Sequence, residues 1–465
     1  MGGVAVFDVG KTNVKLSAAQ PDGTILESLS APNIVRDGPP YRHPDILGQE
    51  TWLVDGLREL GRRHPLDTIV LCAHGSGGVL IGEDGPALPM IDYEQPVPPA
   101  VDKTYHRIVG SYRERGSPVM AGGAHLARQM LWQEMCWPDE FAQATAFLAT
   151  PQYWAWRLSG VRASEVTCLA AESHLWSPAN ARPTALVAER GWQRLIAPRR
   201  GAWEALGQLQ PELAARTGLP ASTQVLCGIH DSSANFHRYQ AAGLTDFTAV
   251  STGTWVVALT DRSTADIDEE RLGRTCNADI FGRPVPGMLT MAGREFAAVA
   301  GAAAGPASTE GLARIVESRT FALPSFGADD GLFAGTARGG RIEGPLAGDP
   351  GIRFTLAMLY AALLTAECVD GLPKAATVVL DGNFVKEPLY GATVAGLLAG
   401  RHVAVNRDAY GTASGAALLA SHATRTTPAP LAIETPDATA LPDLKEYRAL
   451  WRAAVEPRSV RLERL

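Results

Sequence analysis

The chain predicts a two-lobe α/β fold, and three observations carry that prediction. Its 465 residues exceed what one hydrophobic core usually supports. Strand-like apolar runs alternate with helical spacing along most of its length. One layout, an apolar strand, a small polar turn and a second apolar strand, occurs twice, at residues 4–16 and again half a chain later at 247–259.

The first copy runs Val4-Ala-Val-Phe-Asp8 into the turn Gly10-Lys11-Thr12-Asn13, with Val14 to Ala19 as the returning strand. Gly10 allows a positive φ or a close approach of backbone to ligand. Successive N–H groups in such a turn can cradle phosphate oxygens, and Asp8 supplies the charge that a phosphate-bound Mg²⁺ would need. A plain β-hairpin is the alternative. The second copy, Phe247 to Leu259, aligns Ser251 with Asp8, Gly253 with Gly10 and Leu259 with Leu16. A pair of such hairpins suggests related lobes facing one nucleotide.

Between and beyond the hairpins the elements follow in order. Pro21-Asp22-Gly23 turns the first hairpin into a further strand. Thr51 to His64 has helical spacing, and Thr68 to Ala73 is a buried strand ending at His74-Gly75-Ser76-Gly77-Gly78. A strand-turn-strand unit around Glu83-Asp84-Gly85 leads to Asp92-Tyr93-Glu94. Ala124 to Trp137 and Pro151 to Leu158 read as helices, and Thr223 to Cys227 as a strand before Gly228-Ile-His230-Asp231. Leu356 to Cys368 is a buried helix, its apolar stretch to Ala366 too short to span a bilayer. Thr377 to Leu380 is a strand, Thr412 to Ser421 a small-residue helix, 426–441 a Pro/Ala/Thr connector, and Leu444 to Ala454 a closing helix.

The composition is that of an ordinary soluble globular protein, with 46% hydrophobic and 20% charged residues. A net charge of −7 leaves no footprint for nucleic acid or anionic membranes, so phosphate binding must be local. The six cysteines form no CxxC pair and read as reduced core residues, which fits a cytoplasmic protein. No signal peptide is visible, and Val6 stands where myristoylation would require Ser or Thr. P-loop and Rossmann signatures do not occur, nor do HxH or HxxH spacings for a side-chain metal site.

Asp231 stands between a strand and a helix. It suits a helix cap and, at a strand end facing a nucleotide cleft, a general base taking a proton from a substrate hydroxyl. His230 could donate to a sugar oxygen or be a satisfied structural histidine, and His74 among its glycines has the same two readings. Asp92 and Tyr93 could line the cleft. Tyr153, Trp154 and Trp156 form an aromatic group that could stack on a sugar face or be core.

These residues resemble the FGGY carbohydrate kinases over nearly the whole chain. Phe7 to Asn13 is similar to the family's first phosphate motif, with the Mg²⁺-associated aspartate on Asp8. Ser251-Thr252-Gly253-Thr254-Trp255 is similar to the second. Gly228-Ile-His230-Asp231 matches its Gly-x-x-Asp, which places the catalytic base on Asp231. Ala73-His74-Gly75 resembles the sugar-contacting segment, Tyr153 to Gly160 the Tyr-x-x-x-x-Leu-Thr-Gly stretch, and Leu389 to Ala420 the ending of the C-terminal lobe. One departure stands out: the family's glycine run against adenosine here reads Asp381-Gly382-Asn383.

The resemblance implies a two-lobe actin-like ATPase (ribonuclease H-like) fold with a central nucleotide/sugar cleft. It implies a sugar-binding and catalytic-base domain over 1–244, a nucleotide-binding domain over 245–435, and a connector and helix over 436–465. ATP and Mg²⁺ are the implied cofactors. Gly10, Lys11, Thr12, Asn13, Thr252, Gly253, Thr254, Gly382 and Asn383 would meet the nucleotide, and His74, Gly75, Asp92, Tyr93, Tyr153 and His230 the sugar. The partners expected are the sugar and ATP, with no nucleic acid or membrane, for a monomer or homodimer. His230 before the base resembles rhamnulose kinases and points to C1 of a 6-deoxyketose such as L-rhamnulose or L-fuculose. A pentulose phosphorylated at C5 is the alternative, with which His74 is compatible. A sensor without catalysis would need no base at Asp231, and an actin- or chaperone-like ATPase would need a partner-binding appendage.

Overall fold

The computed structural model describes residues 2–263, 270–408 and 410–462, with side chains to 455. Its first lobe opens with β1 (Gly3–Val9), β2 (Asn13–Ala19) and β3 (Ile25–Pro32), an antiparallel meander. Helix α1 (Ile46–Gly61) leads to β4 (Leu66–Ala73), which lies parallel to β1. β5 (Gly78–Ile81) pairs with the distant β6 (Ala146–Ala149), and α2 (Thr150–Ser159) and α3 (Val166–Ala170) follow. The short strands β7 (Gln224–Leu226) and β8 (Ile229–His230) complete the parallel side against β4, and α4 (Asp231–Ala241) leaves from β8.

The second lobe repeats the plan. β9 (Phe247–Thr252) and β10 (Val256–Thr260) form its hairpin, flanked by β11 (Arg274–Ala278) and β12 (Pro284–Thr290). After α5 (Ala292–Ala300) and α6 (Arg353–Asp370), β13 (Thr377–Gly382) pairs parallel to β9 and β14 (His402–Val405) parallel to β13. α7 (Gly411–Ala417) and α8 (Leu444–Leu462) close the chain. In each lobe a hairpin strand is thus the neighbour of a parallel strand that arrives by a helical crossover.

The continuous apolar runs exist because these strands are covered on both faces. Ala5, Phe7 and Val9 of β1 enter a core with Leu53 and Leu57 of α1, while Val4 and Val6 face Ala413, Ala416 and Ala417 of α7. In β13, Val378 and Leu380 join Leu356, Leu359 and Leu363 of α6, while Val379 faces Phe236 and Tyr239 of α4. The lobes therefore exchange helices. α4 grows from the first lobe and packs on Phe247 and Ala249 of the second, and α7 grows from the second and packs on the first. They cross at backbone contact, since a Cβ at Gly415 would collide with the Ala234 carbonyl oxygen.

Several boundaries differ from the sequence-based expectation. α1 begins earlier because the Asp45 carboxylate accepts from Gly48 N at 3.2 Å and caps it. The unit around Glu83-Asp84-Gly85 does turn back locally, with Ile81 bridging Pro86 and Ala87 N donating to Leu80 O at 2.8 Å, but the main partner of β5 comes some 65 residues later. α6 is longer than its apolar stretch suggested. Residues 350–370 are long and apolar enough to cross a membrane, but 83% of that window is buried, as in the core helix of a lobe. α8 joins the second lobe, with Tyr447 Oη donating to Thr320 O at 2.6 Å and Trp451 Nε1 to Ala322 O at 2.7 Å. Cys136 is exposed, and the other cysteines are buried and unbridged.

Candidate active site

The two hairpin turns hold their shape through backbone contacts. Gly10 N donates to Asn13 O at 3.0 Å, and Asn33 donates from its backbone N to Thr12 O and from Nδ2 to Gly10 O, both at 2.8 Å. Gly10 has no positive φ, so its sequence-based left-handed reading gives way to a tight fit, a Cβ there falling 3.1 Å from Asn13 O. In the second turn Gly253 N donates to Trp255 O at 2.8 Å and Gly293 N to Thr254 O at 3.1 Å.

Strand β9 matches β1 as expected, but the return strand slips by one. Phe7 pairs with Leu16, whereas its counterpart Val250 pairs with Ala258, not Leu259, because the second turn is a residue shorter. The parallel strands match as well. Asp8 is level with Cys72 and Ser251 with Asp381, so His74 and Asn383 hold equivalent places just past them, donating from N to Val9 O (3.2 Å) and Thr252 O (2.6 Å).

Asp231 is the first residue of α4, and the cap position falls to His230. Its carboxylate therefore does not cap; Oδ1 accepts from Ser232 N and Ser232 Oγ of its own turn and lies 3.1 Å from His230 Nε2. Burial holds His230 below the ordinary histidine range. Its Nδ1 hydrogen-bonds Ser233 Oγ at 3.2 Å, whereas Nε2 lies beside the Asp231 carboxylate without forming a hydrogen bond to it. Nδ1 is thus engaged inside the protein, and Nε2 stands beside the Asp231 carboxylate.

Groups from separate segments respond to the Asp231 charge. Burial first and Asp231 second push the Asp8 carboxyl up to about 7, with Lys15 opposing them. His74 is pulled down to about 4 by burial, with Asp231 opposing the change, and its Nδ1 has no partner. Tyr93 is raised by burial, with Glu94 and Asp231 adding to it. Glu172, a residue that the sequence reading passed over, is pushed up to about 7 by burial, with Asp231 raising it further and Asn277 and Thr275 opposing. These segments therefore all lie within electrostatic range of Asp231.

Other expected contacts are redistributed. Lys11, expected on phosphate, pairs with Asp92, expected on sugar; its ammonium also lies 3.8 Å from Glu94 and 5.0 Å from the Tyr93 ring centre. Arg42 holds the other Asp92 oxygen at 3.0 Å. The Tyr93 ring stands 5.3 Å from His74. Glu94 pairs with Arg294 of α5 and so ties the first lobe to the second. Tyr153 is 4% exposed and packs among Phe7, Trp154 and Trp156 in the first lobe's core, so the sugar-stacking reading yields to packing. Gly75 abuts Ala171 and the His230 ring. Thr12 and Asn13 are exposed at the turn.

Thr252 is buried, its Oγ1 donating to Asp381 O at 2.6 Å and accepting from Phe384 N at 3.0 Å, so its hydroxyl fastens β9 to the end of β13. Gly382 has φ +93°, and a Cβ there would strike Thr252 backbone. The Asp381 carboxylate faces away from the turns: Oδ2 accepts from Tyr239 Oη (2.6 Å), Asn235 Nδ2 (2.8 Å) and Asn406 Nδ2 (3.2 Å). Of the two side chains that replace glycines in Asp381-Gly382-Asn383, the other, Asn383, accepts at Oδ1 from Lys386 at 3.1 Å. Beside it opens a cavity of about 340 Å³ walled by Phe296, Phe354, Met358, Phe384 and Tyr390. Among the described residues no group of three or more His, Cys, Asp or Glu could hold a metal ion.

Comparison with known proteins agrees with this arrangement. A family profile described as "Carbohydrate kinase FGGY, C-terminal domain" matches residues 244–428. A solved carbohydrate kinase from Novosphingobium aromaticivorans is 30% identical, with a TM-score of 0.84 over 98% of this chain and 99% of that one. L-fuculokinase of Escherichia coli K12 is 26% identical over 302 residues, and the match spans 62% of this chain and 63% of that protein. Xylulose kinase from Lactobacillus acidophilus shares the fold at 13% identity, with a TM-score of 0.80 over 98% of each chain.

Proposed function

The chain belongs to the FGGY family of carbohydrate kinases, and on that footing we propose that it transfers the γ-phosphoryl group of ATP to a ketose hydroxyl. The observation that carries this reading is the place of Asp231, a carboxylate beside His230 at the mouth of a helix and within electrostatic range of Asp8, His74 and Tyr93. A base so placed takes the proton of the attacking hydroxyl as the phosphorus–oxygen bond forms. The favoured acceptor is C1 of a 6-deoxyketose such as L-fuculose or L-rhamnulose, a choice supported by the L-fuculokinase relative.

Residues 1–244 would supply the sugar pocket and base, residues 245–435 the nucleotide surface, and residues 436–465 a connector and a helix whose Leu444, Tyr447, Trp451 and Val455 pack on the latter. The backbone of Gly10–Asn13 and of Gly253–Thr254 would fix phosphate oxygens from opposite sides. Gly382 and Asn383 would meet the nucleoside, whose base suits the aromatic-walled cavity beside Asn383. Neutral His74, with its free Nδ1, would hydrogen-bond the sugar beside the Gly75 backbone. Asp92 and Tyr93 contribute through the Lys11 cluster, which shapes that wall.

A Mg²⁺ ion fits the donor chemistry. Asp8 is a buried carboxyl under repulsion from Asp231, and a single carboxylate plus phosphate oxygens is how this ion is commonly held. Bound there with ATP, it would neutralise phosphate charge. The Glu94–Arg294 pair and the contact of Trp255 with Tyr93 close the mouth between lobes, which keeps water from competing as acceptor.

The test is coupled ADP release with Mg-ATP across ketoses, pentuloses, polyols and aldoses, against a blank without sugar. Turnover with 6-deoxyketoses is the expected result. Preference for pentuloses would replace the substrate, and a flat panel would remove the kinase reading.

A further inference from the structure

Glu172 sits on a turn with left-handed backbone, φ +50°, and His174 two residues on has φ +61°. Neither residue is glycine, so each conformation costs on the order of 1–2 kcal/mol and persists only where surroundings impose it. The surroundings are explicit. His125 Nδ1 donates to Glu172 O at 2.6 Å, and the His125 ring stacks on His174 at 3.7 Å. His174 is itself held by Tyr105 Oη at 2.7 Å and Ser117 Oγ at 2.8 Å. A buried imidazole pair thus fixes the turn that presents Glu172.

Across from it, on β11 of the second lobe, Thr275 and Asn277 are 2% and 1% exposed. Both lie close enough to the Glu172 carboxyl to oppose its upward shift as hydrogen-bonding neighbours, yet neither Thr275 Oγ1 nor either Asn277 amide atom reaches a hydrogen bond of full geometry. Leaving a buried polar atom unpaired costs about 1–3 kcal/mol, so this cluster is built for a partner. The set comprises one acceptor carboxylate, one amide that donates and accepts, and one hydroxyl. Its complement is a pair of neighbouring hydroxyls, each of which also donates and accepts.

We propose that Glu172, Asn277 and Thr275 form a subsite that grips a vicinal diol of the sugar, away from the hydroxyl that Asp231 activates. With Asp8, Asp231 and Glu172 all facing this space, the subsite selects neutral polyhydroxy ketoses and rejects sugar acids. Because its walls belong to different lobes, a bound diol also bridges them. The proposal rests on the sugar-kinase reading and is tested separately from it.

The experiment measures initial rates for wild type, Glu172→Gln and Asn277→Ala with L-fuculose, with its analogues lacking one hydroxyl each, and with gluconate. Wild-type turnover of L-fuculose or another ketose decides the kinase reading. For the subsite, the wild type should lose about 10- to 100-fold in kcat/KM when one particular hydroxyl is removed, the range of a charged hydrogen bond. Both variants should raise KM for the parent ketose by a similar factor, keep KM for ATP, and become indifferent to that hydroxyl. Should Glu172→Gln fail to fold, Asn277→Ala carries the same test from the other lobe. If the wild type turns over nothing, the comparison is read as the melting-temperature rise on adding L-fuculose. A rise lost in the variants supports the subsite; a rise they retain, or none in the wild type, overturns it. Unchanged KM and unchanged discrimination in both variants would also overturn it.

Discussion

Replacing Asp231 by Asn removes a proton acceptor and leaves its surroundings nearly unaltered. The amide oxygen can still accept from Ser232 N and Ser232 Oγ, the hydrogen bonds made by the native Oδ1. Loss of the charge at the start of α4 removes an attraction to the helix N-terminus worth about 0.3–1 kcal/mol. It also removes part of the repulsion that holds Asp8 up to about 7. These effects oppose each other, so the unfolding free energy should change by no more than about 1 kcal/mol. The rate should fall by about 10² to 10⁴, the contribution of a positioned general base, or about 2.7–5.5 kcal/mol in barrier. Melting temperature, ATP affinity by calorimetry and kcat by coupled ADP release separate the quantities. A variant that keeps more than about a tenth of wild-type kcat would refute the reasoning. So would one that loses kcat only in proportion to its loss of folded protein.

Gly382→Ala forces a side chain onto φ +93° against Thr252 backbone, and should cost about 2–4 kcal/mol in stability; a melting temperature within a degree of wild type would contradict this. Asp381→Asn weakens the site that accepts from Tyr239, Asn235 and Asn406, and should destabilise by about 1–3 kcal/mol while changing KM for ATP less than about threefold. A large ATP effect at unchanged stability would mean that the carboxylate meets the nucleotide after all. Glu165 is fully buried, its Oε2 accepting from Thr167 N and Cys168 N, and burial pushes its carboxyl up to about 7. Since the folded pKa lies above the unfolded one, the group is neutral in its effect at low pH and lowers stability as pH rises from 4.5 through 7. The cost reaches on the order of 3 kcal/mol above that window. Glu165→Gln should therefore melt progressively higher than wild type between pH 5 and pH 8; parallel curves would sink this.

What could be read from the chain was what is local and repeated. The two hairpins, the continuous runs of strands covered on both faces, and the strand–Asp231–helix junction all leave short-range patterns. Partners distant in sequence leave none. Lys11 and Asp92 are 81 residues apart, so each looked like a ligand group when taken alone, and nothing local marks the pairing of Asn235 with Asp381, 146 residues on. Glu172 was missed because it lies on an irregular turn whose left-handed backbone no periodicity marks. The register slip in the second hairpin depends on one turn residue. Tyr153 fitted two uses, and only burial separates a core ring from one that lines a cleft.

The exchange of α4 and α7 between lobes places the reacting carboxylate in an unusual mechanical position. Where Ala234 meets Gly415 the two helices have no clearance to slide, so relative rotation of the lobes must turn about that crossing. In any rotation the points on the axis stay still and the far rims travel most. Asp231 stands less than one helical turn from Ala234, near the pin of the shears, whereas Glu94 and Arg294 are at the tips of the blades. Opening to admit sugar and nucleotide can thus be wide at the mouth while the aim of the base hardly alters.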